Sequence, residues 1–324
     1  MFFLIAFIAG RLASIAQRGL WLLEVILHIG AHRTGTTSLQ RALQQNQHNL
    51  KKNGVAFWGP RQTRGGRFSG LLRATDADDA ETKRLIGRNR GVISLECDRL
   101  AKQGTRRLIV SEENILGSMR HNLRTSLLYP GLPTRLARFA DLFGSKLTRV
   151  GLSIRPYDRY WASALAFTMP MGVPAPVEGD LDRLVTQPRS WRQVISDVAR
   201  VFPGVEIAVW DFERLIGRPQ AQYRVLTGGN GRIQPSDAHH NASAPREALR
   251  ELLLARGDAD GARAIAPGSG RYMPFKAHHI DALNARYLED LAWLRTTSAA
   301  RVNFVEEASE LPAFATRIAG RGRT

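Results

Sequence analysis

Val25 to Ile29 form a short apolar run rich in β-branched residues, and a loop carrying Gly30 and Gly35 follows directly. A run of that length with clear bounds reads as a buried strand. Beyond the loop come Thr36, Thr37 and Ser38, then Leu39, Ala42, Leu43 and Leu50 at the spacing of one helix face. Strand, glycine loop and helix start together make a holder for phosphate-like anions. Glycines let the backbone come close, successive N–H groups point inward, and the helix N-terminus adds partial positive charge.

The loop reads Gly30-Ala-His-Arg-Thr-Gly35-Thr36-Thr37, close to the triphosphatase pattern G-x-x-x-x-G-K-S/T. Thr36 stands where that pattern has its lysine, and the cation lies inside the loop instead, at Arg33. The change points to an anion held without the usual magnesium–triphosphate geometry.

The rest of the chain alternates apolar runs with helical periodicity. Strands are predicted at Val55–Trp58, Arg107–Ser111, Leu147–Ile154 and Val205–Trp210. Helices are predicted from the loop to Lys52, around Ile93, Cys97 and Leu100, and over Leu132–Phe143, Asp158–Phe167 and Ser190–Phe202. Two more are predicted over Pro245–Arg256 and Phe275–Leu294. Residues 59–90 and 169–189 read as surface loops able to shape an acceptor pocket. This order implies an α/β fold with a mostly parallel sheet flanked by helices. Residues 24–300 are expected to form one domain, mainly helical in its C-terminal part. Residues 1–23 read as a hydrophobic extension and 301–324 as a tail.

With 324 residues and 44% apolar content, the chain can bury a sizeable core. Its one cysteine, Cys97, excludes an internal disulfide framework and a cysteine-based zinc site, and is expected to be a small buried apolar residue. Forty-six basic against 29 acidic residues give a net charge of +17. That excess suits acidic ligands, although the arginines are scattered rather than gathered in one run. The apolar stretch from Met1 ends at Arg11, too short to span a bilayer, and its charges follow the apolar core instead of preceding it. Weak peripheral membrane contact is the alternative use of this segment.

Two further constellations carry chemistry. Arg155 follows a predicted strand, so it emerges at the carboxyl edge of the sheet, where open α/β sheets bind ligands. Ser163, eight residues on, can face the same side. Glu112 and Glu113 end another strand, where a carboxylate is placed to take a proton from a bound hydroxyl. Alternation allows only one of the two to face the site, and the sequence does not choose between them. His32 and His121 are the reserve bases.

His32-Arg33-Thr34-Gly35-Thr36-Thr37-Ser38-Leu39-Gln40, after Leu27-His28-Ile29-Gly30, resembles the 5′-phosphosulfate loop of the sulfotransferases, closest to bacterial members whose loop reads H-K-T-G-T-T-S-L-Q. The family uses 3′-phosphoadenosine-5′-phosphosulfate (PAPS) as sulfuryl donor on a P-loop nucleotide-binding fold and releases adenosine 3′,5′-bisphosphate. The resemblance implies that His32 through Ser38 bind the donor, with Arg33 also catalytic. Ile154-Arg155-Pro-Tyr-Asp-Arg-Tyr-Trp-Ala-Ser163 is similar to the family's 3′-phosphate motif, so Arg155 and Ser163 would hold that phosphate. Arg271, in a late loop, would close over it, with Lys276 beside it. Ser111-Glu112-Glu113 is similar to the segment that supplies a glutamate base in the glycosaminoglycan enzymes. Val205-Glu-Ile-Ala-Val-Trp-Asp-Phe212-Glu213-Arg-Leu and Asn241-Ala-Ser243 are similar to structural stretches of the family. Arginine in place of the usual lysine at position 33 keeps the charge but is bulkier.

The resemblance therefore implies a cytoplasmic, bacterial, metal-independent enzyme. It would move a sulfuryl group from PAPS to a hydroxyl or amine, on a carbohydrate or acidic glycan. A P-loop kinase or nucleotidase is the alternative, with the acidic pair as a metal ligand and the lysine at position 36 missing. A basic nucleic-acid-binding protein with a vestigial loop is the third reading, but the chain lacks a recognition helix, an aromatic RNA-binding motif or a dense basic stripe.

Overall fold

The computed structural model describes residues 23–73, 79–229, 231–234, 243–297 and 301–306. Six strands form one all-parallel sheet: β1 (Glu24–His28), β2 (Val55–Trp58), β3 (Arg107–Ser111), β4 (Leu147–Ile154), β5 (Glu206–Asp211) and β6 (Val302–Val305). Their order across the sheet is β2-β3-β1-β4-β5-β6. Helices that position the site are α1 (Thr36–Gln45), α2 (Gln47–Lys52), α3 (Ala80–Lys102), α4 (Leu132–Phe143), α5 (Tyr157–Thr168), α6 (Glu178–Thr186), α7 (Trp191–Val201), α8 (Pro219–Thr227) and α9 (Ala277–Thr296).

Alternation along β1 shows why both faces need cover. Val25 and Leu27 enter the larger core with residues of α4, α5 and α7, while Ile26 packs with Leu39 and Leu43 of α1 and Leu226 of α8. A parallel sheet buried on both faces carries near-continuous apolar strands. Gly151 on β4 makes room on the second face. A Cβ there would lie 2.5 Å from Leu226 Cδ1 and 3.2 Å from the Trp210 ring, and Trp210 in turn stacks on His28 at 5.7 Å.

Several expected boundaries change. The first helix breaks at Asn46, whose side chain donates to Ala42 O (2.8 Å) and exchanges hydrogen bonds with the backbone of Gln234. A side chain that bonds its own preceding turn competes with helix continuation. The segment 59–90, expected as loop, contains the first half of α3, capped by Asp79 accepting from Thr82 N at 2.8 Å. The other expected loop, 169–189, contains α6. The boundary at residue 300 also moves, because Val302–Val305 extends the sheet by pairing with β5. Cys97 is buried in the core as expected, and burial pushes its thiol up to about 11. Among the described residues no helix is long and apolar enough to cross a membrane. The extension 1–22 lies outside the described residues.

Candidate anion-binding site

β1 lies between β3 and β4, and the chain leaves β1 and β4 in opposite directions across the sheet. The carboxyl ends of two such strands border the crevice where α/β sheets take ligands. Residues 30–35 fill the β1 side of that crevice. Ser153 at the end of β4 ties the loop down, its N–H donating to Gly30 O (2.6 Å) and its carbonyl accepting from Ala31 N (2.9 Å). Thr34 braces the turn through its hydroxyl, which donates to Ala31 O at 2.7 Å. Gly35 has φ +73°, and a Cβ there would lie 2.7 Å from Phe212 Cε2. Only glycine takes that backbone without strain while leaving the ring in place. Thr36 begins α1, with Thr37 and Ser38 half-buried in its first turn; no side chain caps the helix. Among the described residues, the N–H groups of Thr34, Gly35 and Thr36 donate to no protein group.

Two guanidiniums converge on this loop. Arg33 Nε donates to Ser163 Oγ (3.0 Å) and Nη2 to Ser243 Oγ (3.1 Å), while Phe167 packs 4.6 Å beneath the group. Ser163 and Ser243 are themselves 2.9 Å apart. Arg155 Nη1 donates to Arg33 O (3.0 Å), Nε donates to Glu213 Oε1 (2.8 Å), and Phe212 lies 5.1 Å from its carbon. Burial, with the charge of Arg155 adding to it, pulls Arg33 down to about 10, which still leaves it charged at neutral pH. Burial also lowers Arg155, with Arg271 and Arg159 acting in the same sense against Glu213. Arg271 is exposed but stands within electrostatic range of Arg155, held by an isolated antiparallel bridge to Pro245. Glu213, shared by Arg155 and Arg159, is the carboxylate partner of this cluster. Lys276 turns elsewhere and pairs with Glu178.

The expected pair of carboxylates separates cleanly. Glu112 is fully buried and every direction of its carboxylate is taken. It accepts from Thr63 Oγ1 (2.5 Å), from Arg64 Nε and Nη2, and from the backbone and side chain of Asn114. Glu113 instead stands against the loop, its Cβ 3.1 Å from where a Gly30 Cβ would be. Its oxygens accept from Arg64 (2.8 Å) and Gln40 (3.0 Å). Burial alone would raise the Glu113 carboxyl, but nearby His32 and the Arg64 guanidinium hold it below the usual range. Arg64 carries that effect near neutrality, because burial keeps His32 itself neutral.

His32 belongs to a chain of hydrogen bonds whose directions are fixed by its ends. Asn114 Nδ2 donates to Glu112, so its Oδ1 faces His32 Nε2 at 3.3 Å and accepts the proton carried there. Nδ1 is then the acceptor for the Tyr129 hydroxyl (3.0 Å), which accepts from His32 N and from Tyr160 OH (3.2 Å). His32 therefore braces the loop with both ring nitrogens engaged. His121 pairs with Arg124 on the helix Met119–Thr125 and lines a cavity that also reaches Asn114.

The structure thus brings Arg33, Ser163, Arg155 and the glycine loop to one place, with Glu113 beside them. It directs the Thr34 hydroxyl and the Glu112 carboxylate into bracing contacts. Arg64, Asn114 and Tyr129 complete the surroundings and carry no motif, since each arrives from a distant or weakly patterned segment, and Gln40, the last residue of the loop motif, joins them through Glu113. Asn241 lies outside the described residues. No family model, curated protein or solved structure matches the chain.

Proposed function

We propose that this chain is a PAPS-dependent sulfotransferase acting on a hydroxyl or amine acceptor. The observation that carries the reading is the meeting of an uncapped helix start, loop N–H groups without a protein acceptor, and a half-buried and a buried guanidinium at the crevice beside β1. A donor with a phosphosulfate at one end and a 3′-phosphate at the other suits this set, which offers hydrogen-bond donors over an extended anion. The loop from His32 to Ser38 would hold the phosphosulfate, with Arg33 against the transferring group. Arg155, Ser163 and Arg271 would hold the 3′-phosphate.

In the transfer, the acceptor oxygen forms a bond to sulfur as the bond from sulfur to the bridging oxygen breaks, and adenosine 3′,5′-bisphosphate leaves. Glu113, ionised at neutral pH, takes the acceptor's proton. Arg33 and the loop N–H groups meet the charge that develops on the departing side, the kind of preorganised donor whose removal costs on the order of 10²–10³ in rate.

Thermal unfolding with adenosine 3′,5′-bisphosphate, set against ATP with magnesium, tests the reading. A ligand at about 100 times its Kd stabilises by roughly 2.7 kcal/mol. Stabilisation by the bisphosphate, lost in Arg155→Ala, is expected. Stabilisation by magnesium-ATP alone would transfer the site to the kinases.

A further inference from the structure

A cavity of about 1,060 Å³ opens beside Asn114, the residue that bonds both His32 and Glu112. That is ample for a drug-sized organic molecule. The helix α5 serves both places, with Ser163 on Arg33 and Leu165 in the cavity wall. Leu123, Leu165, Val173 and Leu184, with Pro174 and Pro176, give the wall an apolar character.

The mouth is cationic. Arg120 and Arg124 stand four residues apart on the helix Met119–Thr125, hence on one face, and both are exposed. Arg120 donates to Met171 O and Arg124 to His121 Nδ1, neither of them a carboxylate. The lining acid, Asp180, is already engaged by Arg183 and Val177 N. Buried Arg135 does not add to the mouth, because it donates to the carbonyls of Leu72, Arg73, Asn114 and Ile115.

We infer that this cavity takes the acceptor, and that the acceptor is an amphipathic organic acid: an apolar body, an anionic group at Arg120 and Arg124, and the reacting hydroxyl toward Asn114 and Glu113. The inference rests on the sulfotransferase reading and departs from the carbohydrate acceptor the resemblance implies.

The test uses the full chain and displacement of the fluorescent anion anilinonaphthalene sulfonate. Hydroxydecanoate should displace it at concentrations on the order of tenfold below those needed for decanediol, which has the same body without the charge. Arg120→Ala combined with Arg124→Ala should erase that difference, and Val173→Trp should weaken both displacers by narrowing the cavity. Both variants should keep the thermal stabilisation by adenosine 3′,5′-bisphosphate, since their residues lie outside the anion site. Equal displacement by the two compounds in the unaltered protein would overturn the acidic-acceptor assignment, as would unchanged preference in the double variant. Unchanged displacement in a folded Val173→Trp protein would remove the cavity as the place of binding. Absence of any bisphosphate stabilisation in the unaltered protein would instead remove the donor reading, and the acceptor role with it.

Discussion

At the scale of single residues, neighbouring glutamates have opposite circumstances. Glu112 is enclosed by Thr63, Arg64 and Asn114, and its removal would leave buried donors without an acceptor. Such losses cost about 1–3 kcal/mol each. Glu112→Ala is therefore expected to lower stability by about 2–3 kcal/mol in urea unfolding. Glu113 has fewer partners and borders the glycine loop. On the proposed function, Glu113→Gln should leave the unfolding midpoint nearly in place while reducing sulfuryl transfer by on the order of 10²-fold or more, the scale of a lost general base. A reversal of the two phenotypes would move the base to Glu112.

At the scale of elements, the turn from β1 into α1 works only if Gly35 stays small. Its φ of +73° costs an L-residue on the order of 1 kcal/mol, and the added Cβ would press into Phe212 at 2.7 Å. Gly35→Ala should thus weaken binding of adenosine 3′,5′-bisphosphate at least tenfold, read by calorimetry, with a loss of stability of about 1–3 kcal/mol. Wild-type affinity would show that the loop relaxes without cost. This element was also the most legible part of the chain. Apolar runs marked five of the six strands, and Gly30 and Gly35 marked the turn. Less legible were two elements with weak signals of their own. The start of α3 is set by a cap at Asp79 within a polar, arginine-rich stretch, and β6 is four residues long and exists by pairing with β5. Within the site, Arg33, Ser163 and Arg155 were readable from spacing. Arg64 was not, because only folding brings it 2.8 Å from carboxylates almost fifty residues away.

For the molecule as a whole, acid should be a sharp stress. Burial lowers the imidazole of His28 to about 4 and also lowers that of His32. An unfolded histidine takes a proton near pH 6.5. Between about pH 6.5 and 4 the unfolded chain therefore binds a proton that the folded chain refuses, so stability falls as pH falls. His28 alone accounts for on the order of 3 kcal/mol across that window. Urea unfolding from pH 7 to 4 should show the decline, and His28→Gln should flatten it; an unchanged slope would place the acid sensitivity elsewhere. The sheet order has a further consequence, in time. Val25 on β1 pairs with Leu108 on β3 and Leu147 on β4, so β1, synthesised before either, waits for both neighbours. At about 5–20 residues per second, β4 leaves the ribosome many seconds after β1. Until then the apolar run Val25–Ile29 has two open edges, the state in which a nascent chain is most prone to stick to another. Arg155 follows at the end of β4, so an anion held there as proposed would stabilise the finished sheet and could not shepherd the chain toward it.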